Sequence, residues 1–165
     1  MLLVLGCTAS PAASQERTQA LDREFQEAVA QYDAGKFREA AATLENLERE
    51  VPQSFEVQEL LGLVYSAQTQ DGKASEHLDR AVRLKPDSAE ARTNLATNLV
   101  RLGRLNPAQQ QFEKAVELAP QSFDTNHNFG EFYIRVGQLP KATEYLERAQ
   151  RIDRQAASGN KGTAR

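Results

Sequence analysis

The sequence has little of what catalytic, metal-binding and nucleic-acid-binding proteins usually display. Its 165 residues include one Cys, two His and no Trp, and aromatic residues make up only 7%. A single Cys excludes an intramolecular disulfide framework and a cysteine-based zinc site. The 20 basic and 23 acidic residues give a net charge of −3, which excludes the broad cationic surface of a nucleic-acid binder. No apolar run approaches the roughly 18 residues that a membrane-spanning helix needs.

The side chains that support catalysis or bind metals in other proteins are scattered along this chain. Neither His77 nor His127 has a second His within four residues, and no carboxylate set has metal-ligand spacing. The carboxylates are spread among Lys and Arg on predicted helix surfaces, as Glu144 and Arg148 are at i, i+4. No nucleophile, base and orienting group can be assembled from these residues. We therefore predict no enzyme activity, no metal site and no cofactor.

What the sequence does contain is an internal repeat with a period of 34 residues. Pro52, Pro86 and Pro120 are spaced at this interval, and each stands two residues before a Ser. Three further registers keep the same interval: Ala40, Ala74, Ala108 and Ala142; Leu44, Leu78, Phe112 and Leu146; Ala28, Gly62, Ala96 and Gly130. Such periodicity predicts a repeat array in which each unit buries its apolar face against its neighbours.

The repeated residues resemble the tetratricopeptide repeat (TPR) family. Its pattern is a large residue, Leu-Gly, Tyr, a turn Gly, Ala, an aromatic residue, Ala and Pro. The best copy contains Leu95-Ala96, Phe112 and Pro120, and the resemblance covers roughly residues 18–153. It implies an all-α fold, a TPR superhelix or α-solenoid of about four antiparallel helix hairpins.

Helical periodicity and capping residues predict where the helices begin and end. Ser54, Ser88 and Ser122 precede apolar-periodic stretches and are expected to be N-caps. We expect helices near residues 17–34, 37–50, 54–69, 73–84, 88–102, 106–118, 122–136 and 140–153. We expect a lipobox-like signal remnant and flexible tether at 1–16, an array at 17–154 (about 17–53, 54–87, 88–121 and 122–154) and a disordered tail at 155–165.

Three of the four predicted hairpin turns contain a glycine. Gly35, Gly103 and Gly137 lie where the first helix of a repeat must turn into the second. In the second repeat the nearest glycine, Gly72, comes three residues later than the pattern requires. This repeat therefore departs from the family pattern at its turn.

The resemblance also implies a binding groove, because in this family the first helix of each pair lines a concave surface. Asn94 and Asn128 stand one period apart, where asparagines of peptide-binding members hydrogen-bond the ligand backbone. An amide both donates and accepts, which suits an extended chain. For Arg101 and Arg135, favourable placement near helix C-termini is the alternative explanation. The predicted groove residues are Asn94, Thr97, Arg101, His127, Asn128, Glu131 and Arg135. For His127 the alternative is a partly exposed side chain with no part in binding.

The function implied by the resemblance is that of a protein–protein interaction scaffold whose partner is a peptide or a helix of another protein. The groove charges are mixed and lack the basic set with which chaperone-adaptor members clamp a C-terminal carboxylate, so we do not expect that ligand. The alternative is a structural or self-association module, or a fragment of a larger TPR regulatory protein.

The apolar stretch that ends in Gly6-Cys7 resembles the lipobox of bacterial lipoproteins, in which the Cys becomes the lipidated first residue. The resemblance implies a lipid on Cys7, the only membrane contact we expect, and a periplasm-facing place in the cell envelope. Thr8 in place of an aspartate favours the outer membrane. Only six residues precede Cys7 and none is basic, so this interpretation requires a start upstream of Met1. The alternative is a short N-terminal stub on a cytoplasmic protein.

Overall fold

The computed structural model describes residues 11–159, and within this range the chain is helical and contains no strand. The helices are α1 (Pro11–Asp33), α2 (Phe37–Glu50), α3 (Phe55–Ala67), α4 (Asp71–Leu84), α5 (Ala89–Arg101), α6 (Leu105–Leu118), α7 (Phe123–Arg135) and α8 (Leu139–Gly159). The prediction of an all-α fold built from four helix hairpins is confirmed for the part of the chain that the structure describes.

The first and last helices are longer than predicted. Helix α1 begins at Pro11, so residues 11–16 are helical and do not form the flexible tether that the sequence predicted. Helix α8 continues to Gly159, so residues 155–159 are helical where the sequence predicted disorder. Both extensions are rich in Ala and Gln, which prolong an existing helix at low cost once it has been nucleated. The rest of both terminal segments lies outside the described residues.

The hairpins stack so that their first helices form the inner layer of a solenoid. Each odd-numbered helix contacts the next odd-numbered helix, from α1 through α7. The even-numbered helices contact no other even-numbered helix in residues 11–159. Because one row is closely spaced and the other is not, the array curves with the odd-numbered helices on its concave side.

Small residues set the distance between the two helices of a hairpin. A Cβ atom placed on Gly62 of α3 would lie 2.5 Å from Cγ of Leu78, and one on Gly130 of α7 would lie 2.7 Å from Cγ of Leu146. Ala96 takes this place on α5 and is fully buried. These residues let the leucine or phenylalanine of the second helix pack directly on the backbone of the first.

The N-terminal ends of the inner helices are capped as predicted. The hydroxyls of Ser54, Ser88 and Ser122 each accept a hydrogen bond from the backbone N–H three residues later, at 3.1–3.3 Å. These bonds satisfy amides that have no partner within the first turn of a helix. Three hairpins therefore start their inner helix in the same way, which keeps the repeats in register.

The hairpin turns require a left-handed backbone conformation. Gly35, Gly103 and Gly137 have φ between 72° and 75°. The equivalent residue of the second repeat is Thr69, which takes φ 58° and is the one non-glycine residue with positive φ in the described range. A β-branched residue is strained in this region because its Cβ crowds the backbone carbonyl. The missing turn glycine therefore leaves the conformation unchanged and adds strain.

Relief of this strain is testable by substitution. T69G should stabilise the protein by about 0.5–1 kcal/mol, since about 1–2 kcal/mol of left-handed strain is offset in part by the entropy that glycine loses on folding. The reciprocal change G103T should destabilise it by about 1–2 kcal/mol. Urea unfolding followed by circular dichroism measures both. Equal stabilities for T69G and the wild type would show that Thr69 is not strained.

Candidate binding groove

Helices α5, α6 and α7 line an open cavity of about 260 Å³ on the concave side of the array. We call it the groove cavity. Phe112 and Phe132, which are 1% and 3% exposed, form its apolar floor, together with half-buried Val100. Ile134 lies at its edge and is 45% exposed. The polar residues that line it are Thr97, Arg101, Asn128, Glu131 and Arg135.

Five of the seven groove residues predicted from the sequence thus surround one cavity, and the other two, Asn94 and His127, lie elsewhere. The five come from the third and fourth repeats and face each other across two neighbouring inner helices. The apolar floor was not among the predicted site residues. Phe112 and Phe132 have ordinary core spacing, so the sequence offered no sign that a cavity opens above them.

The two asparagines one period apart have different surroundings. Asn94 is half-buried and lies near the carboxyl group of Glu59 on the neighbouring helix α3, where it lowers the pKa of that group. Asn128 lines the groove cavity, and its Nδ2 donates to the backbone oxygen of Asp124, at 2.8 Å. The period places both on the inner layer, but their partners depend on neighbouring side chains that do not repeat.

His127 lies at the C-terminal end of the array. Its exposed ring stacks on Phe123 with 5.5 Å between ring centroids and 10° between planes. Both residues border an open depression that half-buried Leu146 also lines, on the face where the described part of the array ends. His127 therefore belongs to the end face and does not line the groove cavity.

Arg101 has a structural role in addition to its place at the groove cavity. Its Nη2 forms an ion pair with Asp71 at the start of α4 and donates to the backbone oxygen and the hydroxyl of Ser66, at 3.0 and 2.6 Å. These contacts tie the third repeat to the second. Helix-dipole placement alone, the alternative considered from the sequence, does not describe this arrangement.

A half-buried carboxyl group lies further along the inner layer. Oε1 of Glu59 is buried and has no hydrogen-bond partner in the described part of the chain. Burial, and then the nearby carboxylate of Glu90, raises the pKa of Glu59 to about 7, whereas Lys85 and Asn94 oppose the rise. A pKa near 7 means that the charge of Glu59 changes near neutral pH.

The second histidine belongs to a polar network between the first two repeats. The side chain of Gln58, which is fully buried, donates to Oε1 of Glu48 at 3.0 Å and bonds Nδ1 of His77 at 2.9 Å through its own oxygen. The imidazole also stacks on the ring of Tyr65. Burial lowers the pKa of His77. The network joins α2, α3 and α4, so we assign His77 to the structure of the array.

Within residues 11–159 no group of three or more His, Cys, Asp and Glu side chains is arranged to hold a metal ion. None of the helices in that range is long and apolar enough to cross a membrane. Cys7, the predicted lipidation site, lies outside the described residues.

Family models match nearly all of the helical array. A model described as tetratricopeptide repeat matches residues 25–89, and a second model with the same description matches residues 89–122 and 123–155. The chain belongs to the tetratricopeptide repeat family. The four TPR units of this fold indicate a protein–protein interaction scaffold.

Several solved structures are similar to this TPR array. A crystal structure of MamA is 20% identical, with a TM-score of 0.75 over 89% of this chain and 88% of that chain. MamA of Desulfovibrio magneticus RS-1 is 20% identical, with a TM-score of 0.75 over 82% and 76%. PilF of Pseudomonas aeruginosa is 22% identical, with a TM-score of 0.76 over 84% and 64%. At these identities the likeness shows the fold alone. A comparison with curated protein sequences finds no match.

The raised pKa of Glu59 predicts a pH-dependent effect of E59Q. Because the carboxyl binds its proton more tightly in the folded state, wild-type stability is reduced as pH rises from about 4.5 through about 7. After allowance for solvent screening, E59Q should melt about 2–4 °C higher than the wild type at pH 8 and show no advantage at pH 4.5. Thermal melts across this range measure the difference.

The control is E24Q, at an exposed carboxylate of α1. Its melting temperature should follow that of the wild type at every pH. The same pH-dependent gain in E24Q and E59Q would contradict the assignment of a perturbed carboxyl to Glu59.

Proposed function

We propose that this chain binds an extended segment or a helix of a partner protein in its concave groove, over the C-terminal halves of α5 and α7. The observation that carries the proposal is the groove cavity, whose buried floor of Phe112 and Phe132 stands beneath a polar rim. An apolar pocket with a few convergent polar groups is the usual form of a site that anchors a partner's side chain.

The rim supports this proposal with groups that suit a peptide backbone. Thr97 and Glu131 are exposed, and Asn128 has used one of its amide hydrogens within its own helix. The carbonyl oxygen of Asn128 makes no hydrogen bond in the described part of the chain and is available to a ligand N–H. Asn94, near Glu59, contributes a second polar position further along the same layer.

The proposal is of a binding protein rather than an enzyme. Of the two histidines, His77 is bonded to Gln58 within the structural network and His127 is stacked on Phe123 at the end face. The geometry of the groove cavity supports the binding of a partner. It does not place any of the lining residues to carry out a chemical step.

Self-association is a second candidate because the end face of the array is incompletely covered. Leu146 is half-buried, whereas Leu44, Leu78 and Phe112 at the equivalent positions are at most 1% exposed. Phe123 beside it is 41% exposed. Light scattering separates the two candidates, since a monomer that keeps the same mass at all concentrations excludes self-association.

The groove proposal is tested with two exposed hydrophobic residues that differ in position. I134E places a charge at the edge of the groove cavity, where Ile134 is 45% exposed, and should reduce partner recovery after cross-linking by roughly tenfold or more. L139E changes a residue that is 61% exposed outside the cavity and should leave recovery unchanged. Quantitative mass spectrometry of cross-linked partners measures both. Equal recovery with I134E and the wild type would contradict the proposal.

From the sequence we further propose that Cys7 carries a lipid and anchors the chain in the envelope of a bacterium, with the TPR array facing the periplasm. The support is the resemblance of the segment ending in Gly6-Cys7 to a lipobox. More than one acyl chain on the same residue makes such anchoring stable. The array would then bind its partner close to the membrane surface.

Fractionation of cells that express the native open reading frame tests the anchor. The wild type should be recovered with the membranes and carry the mass of a lipid, whereas C7S should be soluble and lack that mass. A wild type found wholly in the soluble cytoplasm would contradict the anchor and leave the groove proposal intact.

A further inference from the structure

Arg101 and Arg135 occupy equivalent places one period apart, but only one of them has an internal partner. Arg101 pairs with Asp71 and bonds Ser66. The positions one period after Asp71 and Ser66 are occupied by Leu105 and Val100, and neither side chain can accept a hydrogen bond. The partners that hold Arg101 are therefore missing at Arg135.

Arg135 is exposed and makes no ion pair within residues 11–159. The nearest acidic residue on its own helix face, Glu131, stands one turn earlier and does not pair with it in the structure. Both line the groove cavity. A guanidinium with five donors thus stands at a cavity wall without an acceptor.

The residues that stand in place of those partners make the surroundings of Arg135 apolar. Val100 lines the groove cavity in place of a serine, next to Ile134 and above buried Phe132. The cavity, about 260 Å³, is below the size of pockets that take whole drug-sized ligands and suits one large side chain. An apolar recess beside an unpaired guanidinium is complementary to an apolar side chain beside a carboxylate.

We propose that the segment bound in the groove carries an acidic side chain next to a large apolar one. The apolar side chain enters the groove cavity, and the carboxylate pairs with Arg135 as Asp71 pairs with Arg101. This inference rests on the proposed function, because it names the chemistry of the partner for the same groove.

The test uses a phage-displayed library of random twelve-residue peptides, fused to the coat protein at their C-termini so that every carboxylate comes from a side chain. Peptides selected on the wild type should be enriched in Asp or Glu within two residues of Leu, Ile or Phe. On R135E their recovery should fall by about tenfold or more, as expected for loss of a charge-assisted hydrogen bond. R151E, a change at an exposed arginine of α8 away from the groove cavity, should retain them.

A second variant supplies the missing carboxylate from within the chain. L105D places an acidic group at the position equivalent to Asp71, where Leu105 is 38% exposed and opens α6. It should compete for Arg135 and reduce recovery of the acidic peptides by a similar factor, while the helical content measured by circular dichroism stays unchanged. The double variant L105D/R135A should bind no acidic peptide.

The outcomes separate this inference from the function on which it rests. If the selected peptides have no acidic excess, or bind R135E as well as the wild type, the inference is wrong. If those same peptides are lost with I134E, groove binding still stands. If no peptide is enriched on the wild type, both are wrong.

Discussion

The close approach of the two helices within each hairpin is the constraint on which the rest of the array depends. At Gly62 and Gly130 no side chain fits, because Cγ of the facing leucine lies where a Cβ atom would need its own space. Ala96 fills the same place in the third repeat with full burial. Since these contacts recur at one period, the helices of successive hairpins pack in the same way, and stacking such units places the first helices on one side.

The residues that differ between repeats are the ones on which the proposed function rests. Arg101 and Arg135 occupy equivalent positions of two successive repeats, but Asp71 and Ser66 have no counterparts beside Arg135. Between the second and third repeats the arginine holds the two repeats together. Between the third and fourth repeats it lies unpaired beside an apolar cavity. The contact between the third and fourth repeats therefore lacks the ion pair that stabilises the contact between the second and third, and the proposed binding surface lies there.

How far the sequence predicts this molecule depends on whether a feature follows the period. The hairpins and the three serine N-caps recur, so they could be predicted. The helical residues 11–16 and 155–159 lie outside the period, so it could not predict them; the tether was expected from the lipobox resemblance and the disordered tail from composition. Seven groove residues were named from their place in the repeat, but only five line the groove cavity, whereas Asn94 lies near Glu59 and His127 stacks on Phe123, neighbours that do not repeat.

The central claim is that binding occurs on the inner layer between α5 and α7. The measurement that tests it most directly is a ¹⁵N-¹H NMR titration of the assigned protein with a peptide selected for groove binding. The largest shifts of backbone amide signals should fall in residues 97–101 and 128–135, with the even-numbered helices α2 and α4 unaffected. Shifts centred on those outer helices, or on the end face around Phe123, would contradict the account.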